Sequence, residues 1–214
     1  DGNYHFTLGP ALCDIYTRKL DIVQRGYAGY NTRWALKILP QVLKNESNIV
    51  IGTIFFGSND AVSRGPQHIP LAEFEANTKE LVSMMKSKGI KPILVGPALP
   101  DQDAWGKHMP EAVENNYIRD IEGFKTYSNA LDTIAQEENI PFVNLHQAFI
   151  EKGGKNWKAL LCDGLHFSGA GYQIFYDELL KAIEISYPEY SHDRLPMKYP
   201  PWRDTFANPD LLEQ

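Results

Sequence analysis

Asn48-Ile-Val-Ile-Gly-Thr-Ile-Phe-Phe56 runs straight into Gly57-Ser58-Asn59-Asp60, and the reading of that junction decides the fold. The first nine residues are nearly all apolar, as suits a strand covered on both faces. The next four are all turn formers, so the chain leaves the strand abruptly at its carboxyl end.

Working outward, helices and strands alternate. Upstream, a helix is expected from Thr32, with Ala35, Ile38, Leu39, Val42 and Leu43 on one face and a kink or interruption at Pro40. Before it, Leu20 to Tyr27 reads as a short strand, and residues 8–19 as an amphipathic helix carrying Leu8, Ala11, Leu12 and Ile15. Downstream, Leu71 to Lys88 is a helix opened by Pro70 and closed by Gly89, with Phe74, Leu81, Val82 and Met85 inward. Lys91 to Gly96 is a strand, and Pro97 to Pro110 a loop whose Trp105 faces the ligand edge of the sheet. Glu111 to Asn139 is helical with a break at Gly123, and Ile140 to Leu145 is a strand. Ser168 to Ile185 is the last helix, with Ser168 as its N-cap.

The alternation implies an α/β fold, a flavodoxin-like three-layer α/β/α arrangement on a parallel sheet. One domain is expected over residues 1–186, followed by a Pro-rich tail over 187–214 that lies extended on the surface or on a neighbour. The pattern starts half a unit late, because the helix at 8–19 has no strand before it.

Composition removes several classes of function. At 43% hydrophobic and 22% charged residues, the 214-residue chain can build one substantial core and lacks the signature of disorder. A net charge of -6, with Lys and Arg dispersed, disfavours nucleic acid as a partner. No apolar run is long enough to span a bilayer. Cys13 and Cys162 form neither a disulfide framework nor a metal pair. None of the six histidines has H-x-x-x-H spacing with a third ligand nearby, so no metal and no cofactor are expected. The chain opens on Asp1 without a signal peptide, and a cytoplasmic location is the expectation.

Three short segments carry chemistry. In Asp163-Gly-Leu-His166 the carboxylate can hold the imidazole in one tautomer, leaving the other ring nitrogen free to take a proton. Asn59 can aim its amide N–H at a developing oxyanion, and Gly29, in the turn Gly26-Tyr-Ala-Gly29, can offer a backbone N–H. Each alone has a plain reading as a turn. A doubly wound sheet, however, brings all three to one rim.

G-x-N-D after a strand, a glycine in the preceding strand-to-helix turn, and D-x-x-H near the end resemble three of the four blocks of the SGNH, or GDSL-type, hydrolases. The text around Arg33-Trp-Ala-Leu-Lys-Ile-Leu-Pro40, Asp163-Gly-Leu-His-Phe-Ser-Gly169 and Trp202-Arg-Asp204 is similar to the fungal isoamyl-acetate-hydrolysing esterases of that family. The resemblance implies His166 as general base, Asp163 as its orienting partner, Gly29 and Asn59 as oxyanion donors, and Asp60 as a brace. It implies a small-molecule ester, an acetate, as substrate, with a homodimer as a compatible assembly.

The family's first block, Gly-Asp-Ser on the first strand, does not occur in this sequence. Ser58 lies within the G-x-N-D turn and Ser168 reads as a cap, so neither replaces it. In a strand order 2-1-3-4-5, the lacking strand belongs between Leu20 to Tyr27 and Asn48 to Phe56. The expectation is therefore an N-terminally incomplete version of an active esterase, close to inert as it stands. The competing expectation is a catalytically inactive relative that binds rather than reacts.

Overall fold

The computed structural model describes residues 6–212. Residues 1–5 and 213–214, the outer ends of the expected domain and tail, lie outside the described residues.

In chain order the elements are α1 (Leu8–Ile15), α2 (Thr32–Asn45), β1 (Ile51–Phe55), α3 (Leu71–Lys86), β2 (Lys91–Val95), α4 (Gln102–His108), α5 (Pro110–Glu114), α6 (Ile121–Glu138), β3 (Phe142–Val143), α7 (Leu145–Gly153), α8 (Gly169–Ser186) and α9 (Trp202–Ala207), with 3-10 turns after α7, α8 and α9. The three strands form a parallel sheet in the order β1-β2-β3.

Side chains alternate across the strands, so neighbouring residues enter different cores. Leu94 and Ile54 pack with Phe74, Leu81, Val82, Phe124 and Leu131 beneath α2, α3 and α6. Ile93 and Val95 face Phe149, Phe175, Leu179 and Ile183 of α7 and α8 on the other side, where Leu8 and Leu12 of α1 also pack. Each expected inward residue of α3 is buried. No helix among the described residues is long and apolar enough to cross a membrane.

Several expectations are corrected. Leu20 to Tyr27 forms no strand; Val23 and Tyr27 are exposed, and the segment has no ladder partner. In the order 2-1-3-4-5 such a strand pairs only with the one between it and β1, and among the described residues that place is empty of a strand. Pro40 neither breaks nor ends α2. It lies on the exposed side, where water can reach the carbonyl that its missing N–H leaves unpaired.

The break expected at Gly123 comes earlier, between α5 and α6. Asp120 is the N-cap of α6 and accepts from Gly123 N at 2.7 Å, so the glycine sits inside the first turn. The loop expected over Pro97 to Pro110 contains α4, started by Asp101 as N-cap. β3 is shorter than expected because Asn144 caps α7 immediately after it, accepting from Gln147 N at 3.0 Å. The tail holds short helical turns rather than lying extended. Its first part is anchored by Tyr16 Oη donating to Tyr190 O at 2.9 Å and Tyr187 Oη donating to Pro92 O at 2.9 Å.

Candidate active site

Gly57 to Asp60 leave the carboxyl end of β1, and Pro97 to Asp101 leave that of β2. This is the edge where parallel α/β sheets present functional groups.

Asp60 is fully buried and makes no ion pair among the described residues. Its Oδ1 accepts from Thr32 N at 2.8 Å and Thr32 Oγ1 at 2.6 Å, and its Oδ2 accepts from Gly57 N at 3.1 Å. Burial pushes this carboxyl up from its ordinary pKa, and the same hydrogen bonds pull against that shift. Asp60 thus ties the turn after β1 to the first residue of α2.

Asn59 is held by that turn, and its amide has one orientation. Tyr30 O can only accept and stands 2.8 Å from Nδ2; Arg119 can only donate, and its Nη2 stands 3.4 Å from Oδ1. One N–H of the amide remains for a ligand. Gly29 lies one residue before Tyr30 and has φ +77, a left-handed conformation that suits glycine. Its carbonyl accepts from Gln67 Nε2 at 2.8 Å.

The histidine stands on a small hairpin clamped by a bridge between Leu161 and Phe167, with Cys162 N donating to His166 O at 2.8 Å. Asp163 Oδ1 accepts from the backbone N–H groups of Leu165 and His166 at 2.9 and 2.8 Å. Its Oδ2 lies 2.6 Å from His166 Nδ1. A carboxylate only accepts, so Nδ1 carries a proton, and the tautomer with a lone pair on Nε2 is the one this contact selects for the neutral ring. The Asp163 side chain is only 14% exposed whereas that of His166 is 67% exposed, which puts the carboxylate inside and the imidazole at the surface.

Gly164 makes the hairpin possible. It has φ +97, and a Cβ there would lie 2.4 Å from Trp105 N and 2.5 Å from Asp101 O. Gly164 O in turn accepts from Asp101 N at 2.8 Å, so the hairpin is pressed against the start of α4. Gly164→Ala should destabilise the fold by about 2–4 kcal/mol through left-handed strain and overpacking, as read by urea denaturation.

The sequence places Trp105 at this edge but gives no sign of Arg119 or Gln67. Trp105 sits edge-on to the His166 ring, with centroids 5.8 Å apart, and the Arg119 guanidinium lies over the indole, 5.3 Å from its centroid. A contact chain Asn59, Arg119, Trp105, His166 therefore joins the two halves of the site. Nothing in the sequence around Arg119 singles it out, since its role depends on neighbours that are distant along the chain. Ser168 Oγ accepts from Gly171 N at 3.3 Å and donates to Ala159 O at 2.9 Å, as a cap does. Among the described residues no three His, Cys, Asp or Glu side chains gather as metal ligands do.

A model of the GDSL-like lipase/acylhydrolase family matches residues 1–174. The chain is 54% identical over 204 residues to the isoamyl acetate-hydrolyzing esterase of Saccharomyces cerevisiae, a match covering 95% of this chain and 86% of that protein. It is 33% identical over 214 residues to the isoamyl acetate-hydrolyzing esterase 1 homolog of Bos taurus, covering 95% and 83%. Among solved structures, a lipase/acylhydrolase from Enterococcus faecalis superposes with a TM-score of 0.62 at 25% identity, covering 89% of each chain. An acetyl xylan esterase superposes with a TM-score of 0.66 at 18% identity, covering 82% and 90%, a likeness of fold.

Proposed function

Because the chain belongs to the GDSL-like lipase/acylhydrolase family, we propose that it supplies the base and the oxyanion donors of a carboxylic-ester hydrolase acting on short acetate esters such as isoamyl acetate. The observation that carries this reading is the His166 ring, oriented by Asp163 at 2.6 Å, with its other nitrogen without a hydrogen-bond partner among the described residues. The 54% identity to an esterase of that substrate supports the choice of ester.

The nucleophile in this reading is a serine in a Gly-Asp-Ser block, on a strand that pairs with the outer edge of β1. That edge has no partner among the described residues, and Leu20 to Tyr27 forms no strand. His166 takes the serine proton as the oxygen attacks the ester carbonyl. The N–H groups of Gly29 and Asn59 receive the oxyanion. The imidazolium then protonates the departing alcohol, and water repeats the sequence on the acyl-enzyme to release the acid.

One observation favours a second reading, a protein of this fold that binds without reacting: Ser168 is engaged as a cap, and Ser58 belongs to the turn that holds Asn59. A fluorophosphonate probe separates the two. The chain of residues 1–214 is expected to stay unlabelled, and a polypeptide that also carries the Gly-Asp-Ser strand is expected to be labelled and to hydrolyse isoamyl acetate. A folded polypeptide with that strand that neither labels nor turns over the ester would overturn the esterase reading.

A further inference from the structure

Arg119 is the most anomalous charged residue in the molecule. It is 4% exposed, yet among the described residues no carboxylate lies within ion-pair distance and its Nε has no hydrogen-bond partner. A buried guanidinium without a counter-charge is costly unless something else compensates it. What surrounds it points to the compensation. Its Nη2 reaches Asn59 Oδ1 at 3.4 Å and Gln67 Oε1 at 2.8 Å, and Gln67 Nε2 continues to Gly29 O at 2.8 Å. Gln67 is itself held by Asn31 Nδ2 on its carbonyl at 3.0 Å, and Asn31 is the buried N-cap of α2. On its other side the guanidinium rests on Trp105, which packs against His166. Gln102 Oε1 accepts from the Arg119 backbone N–H at 2.7 Å, fixing the residue to α4.

We infer that Arg119, extended by Gln67, is the positioning residue of the oxyanion site: it orients and polarises the Asn59 amide, and through Gln67 it pins Gly29. This inference rests on the reading of Asn59 and Gly29 as oxyanion donors. The cation stands directly behind the Asn59 carbonyl, so it draws electrons from the amide and makes the remaining N–H a stronger donor. The counter-charge that Arg119 lacks at rest is the negative charge that develops on the ester oxygen during attack. Such a group acts in the transition state more than on the bound ester. Burial, which also pushes the guanidinium pKa down, leaves the positive charge unscreened by water.

The test is kinetic, in the polypeptide carrying the Gly-Asp-Ser strand, with enzyme concentration set by fluorophosphonate titration so that only folded, reactive molecules count. Arg119→Met keeps the aliphatic bulk on Trp105 and should lower kcat for isoamyl acetate by about 100-fold, comparable to losing one oxyanion donor, with KM changed less than about threefold. Arg119→Lys should recover part of that loss, and Gln67→Leu should lower kcat by about tenfold. In an Asn59→Ala background, Arg119→Met should cost less than about threefold more, because the group it acts through is gone. A kcat unchanged in Arg119→Met, a loss confined to KM, or losses that multiply in the double variant would each overturn the inference. Should Arg119→Met fail to fold, the same cycle between Gln67→Leu and Asn59→Ala decides. A wild type that hydrolyses no ester would instead overturn the esterase reading, and this inference with it.

Discussion

His166→Ala, made in the polypeptide that carries the nucleophile strand, is expected to lower kcat for a short acetate ester by about 10⁴- to 10⁶-fold, the range seen when a hydrolytic triad loses its base. Because the His166 side chain is 67% exposed, the same change should move stability by no more than about 0.5 kcal/mol. Asp163→Asn should lower kcat by about 10⁴-fold, since an amide cannot accept from Nδ1 and from two backbone N–H groups in the way that the carboxylate does. It should also change the pH dependence of stability. Burial pushes the Asp163 carboxyl up, but hydrogen bonds from the His166 ring and from the His166 and Leu165 N–H groups outweigh it and hold the pKa below its ordinary value. A carboxyl depressed in the folded state stabilises above its unfolded pKa, and that contribution is lost as pH falls through the folded value. Urea unfolding of wild type and Asp163→Asn should therefore differ near neutrality, start to approach one another below about pH 4 and converge only below the depressed folded pKa. Equal curves at both ends would show that the carboxylate does not hold the hairpin.

Asp60→Ala is expected to have the largest effect on stability, about 3–5 kcal/mol, because it strands three buried donors at once. Those donors are Thr32 N, Thr32 Oγ1 and Gly57 N. Asp60→Asn should cost less, about 1–3 kcal/mol, as its oxygen still serves Thr32 while its NH₂ is turned against the Gly57 N–H. In thermal melts, the alanine variant should fall by about 10 °C for a domain of this size. Asn59 sits between the two ends of this tether, so the alanine variant should also lose catalytic activity in molecules that remain folded.

What could be read from the sequence was whatever is encoded locally. The inward face Phe74, Leu81, Val82 and Met85 and the cap Ser168 depend on residues a few positions apart, and the structure has both; the apolar run Asn48 to Phe56 does hold a strand, but only over Ile51–Phe55, with Ile54 alone buried, because Asn48 takes a left-handed turn before it. Asp163 and His166 were legible for the same reason, because a separation of three residues is enough to close their hydrogen bond. Where the outcome depends on a distant partner, sequence reasoning went astray. Leu20 to Tyr27 has strand-like residues, but a strand exists only when a neighbour pairs with it. Pro40 should interrupt α2 by its own chemistry, yet packing of the helix face keeps α2 continuous across it. Arg119 reads as one dispersed surface cation among many until Asn59, Gln67 and Trp105 are seen around it.

If the proposed esterase reading holds, the edge of β1 that has no partner among the described residues would turn fold completion and catalysis into a single event. An extended peptide that ended in a reactive hydroxyl and docked along Ile51 to Phe55 would satisfy the bare backbone groups of that edge by strand addition. The same docking would deliver its hydroxyl to the rim where an imidazole already stands ready. Split into two pieces, such a protein would serve as its own complementation reporter, with ester turnover appearing only when the donor strand is seated.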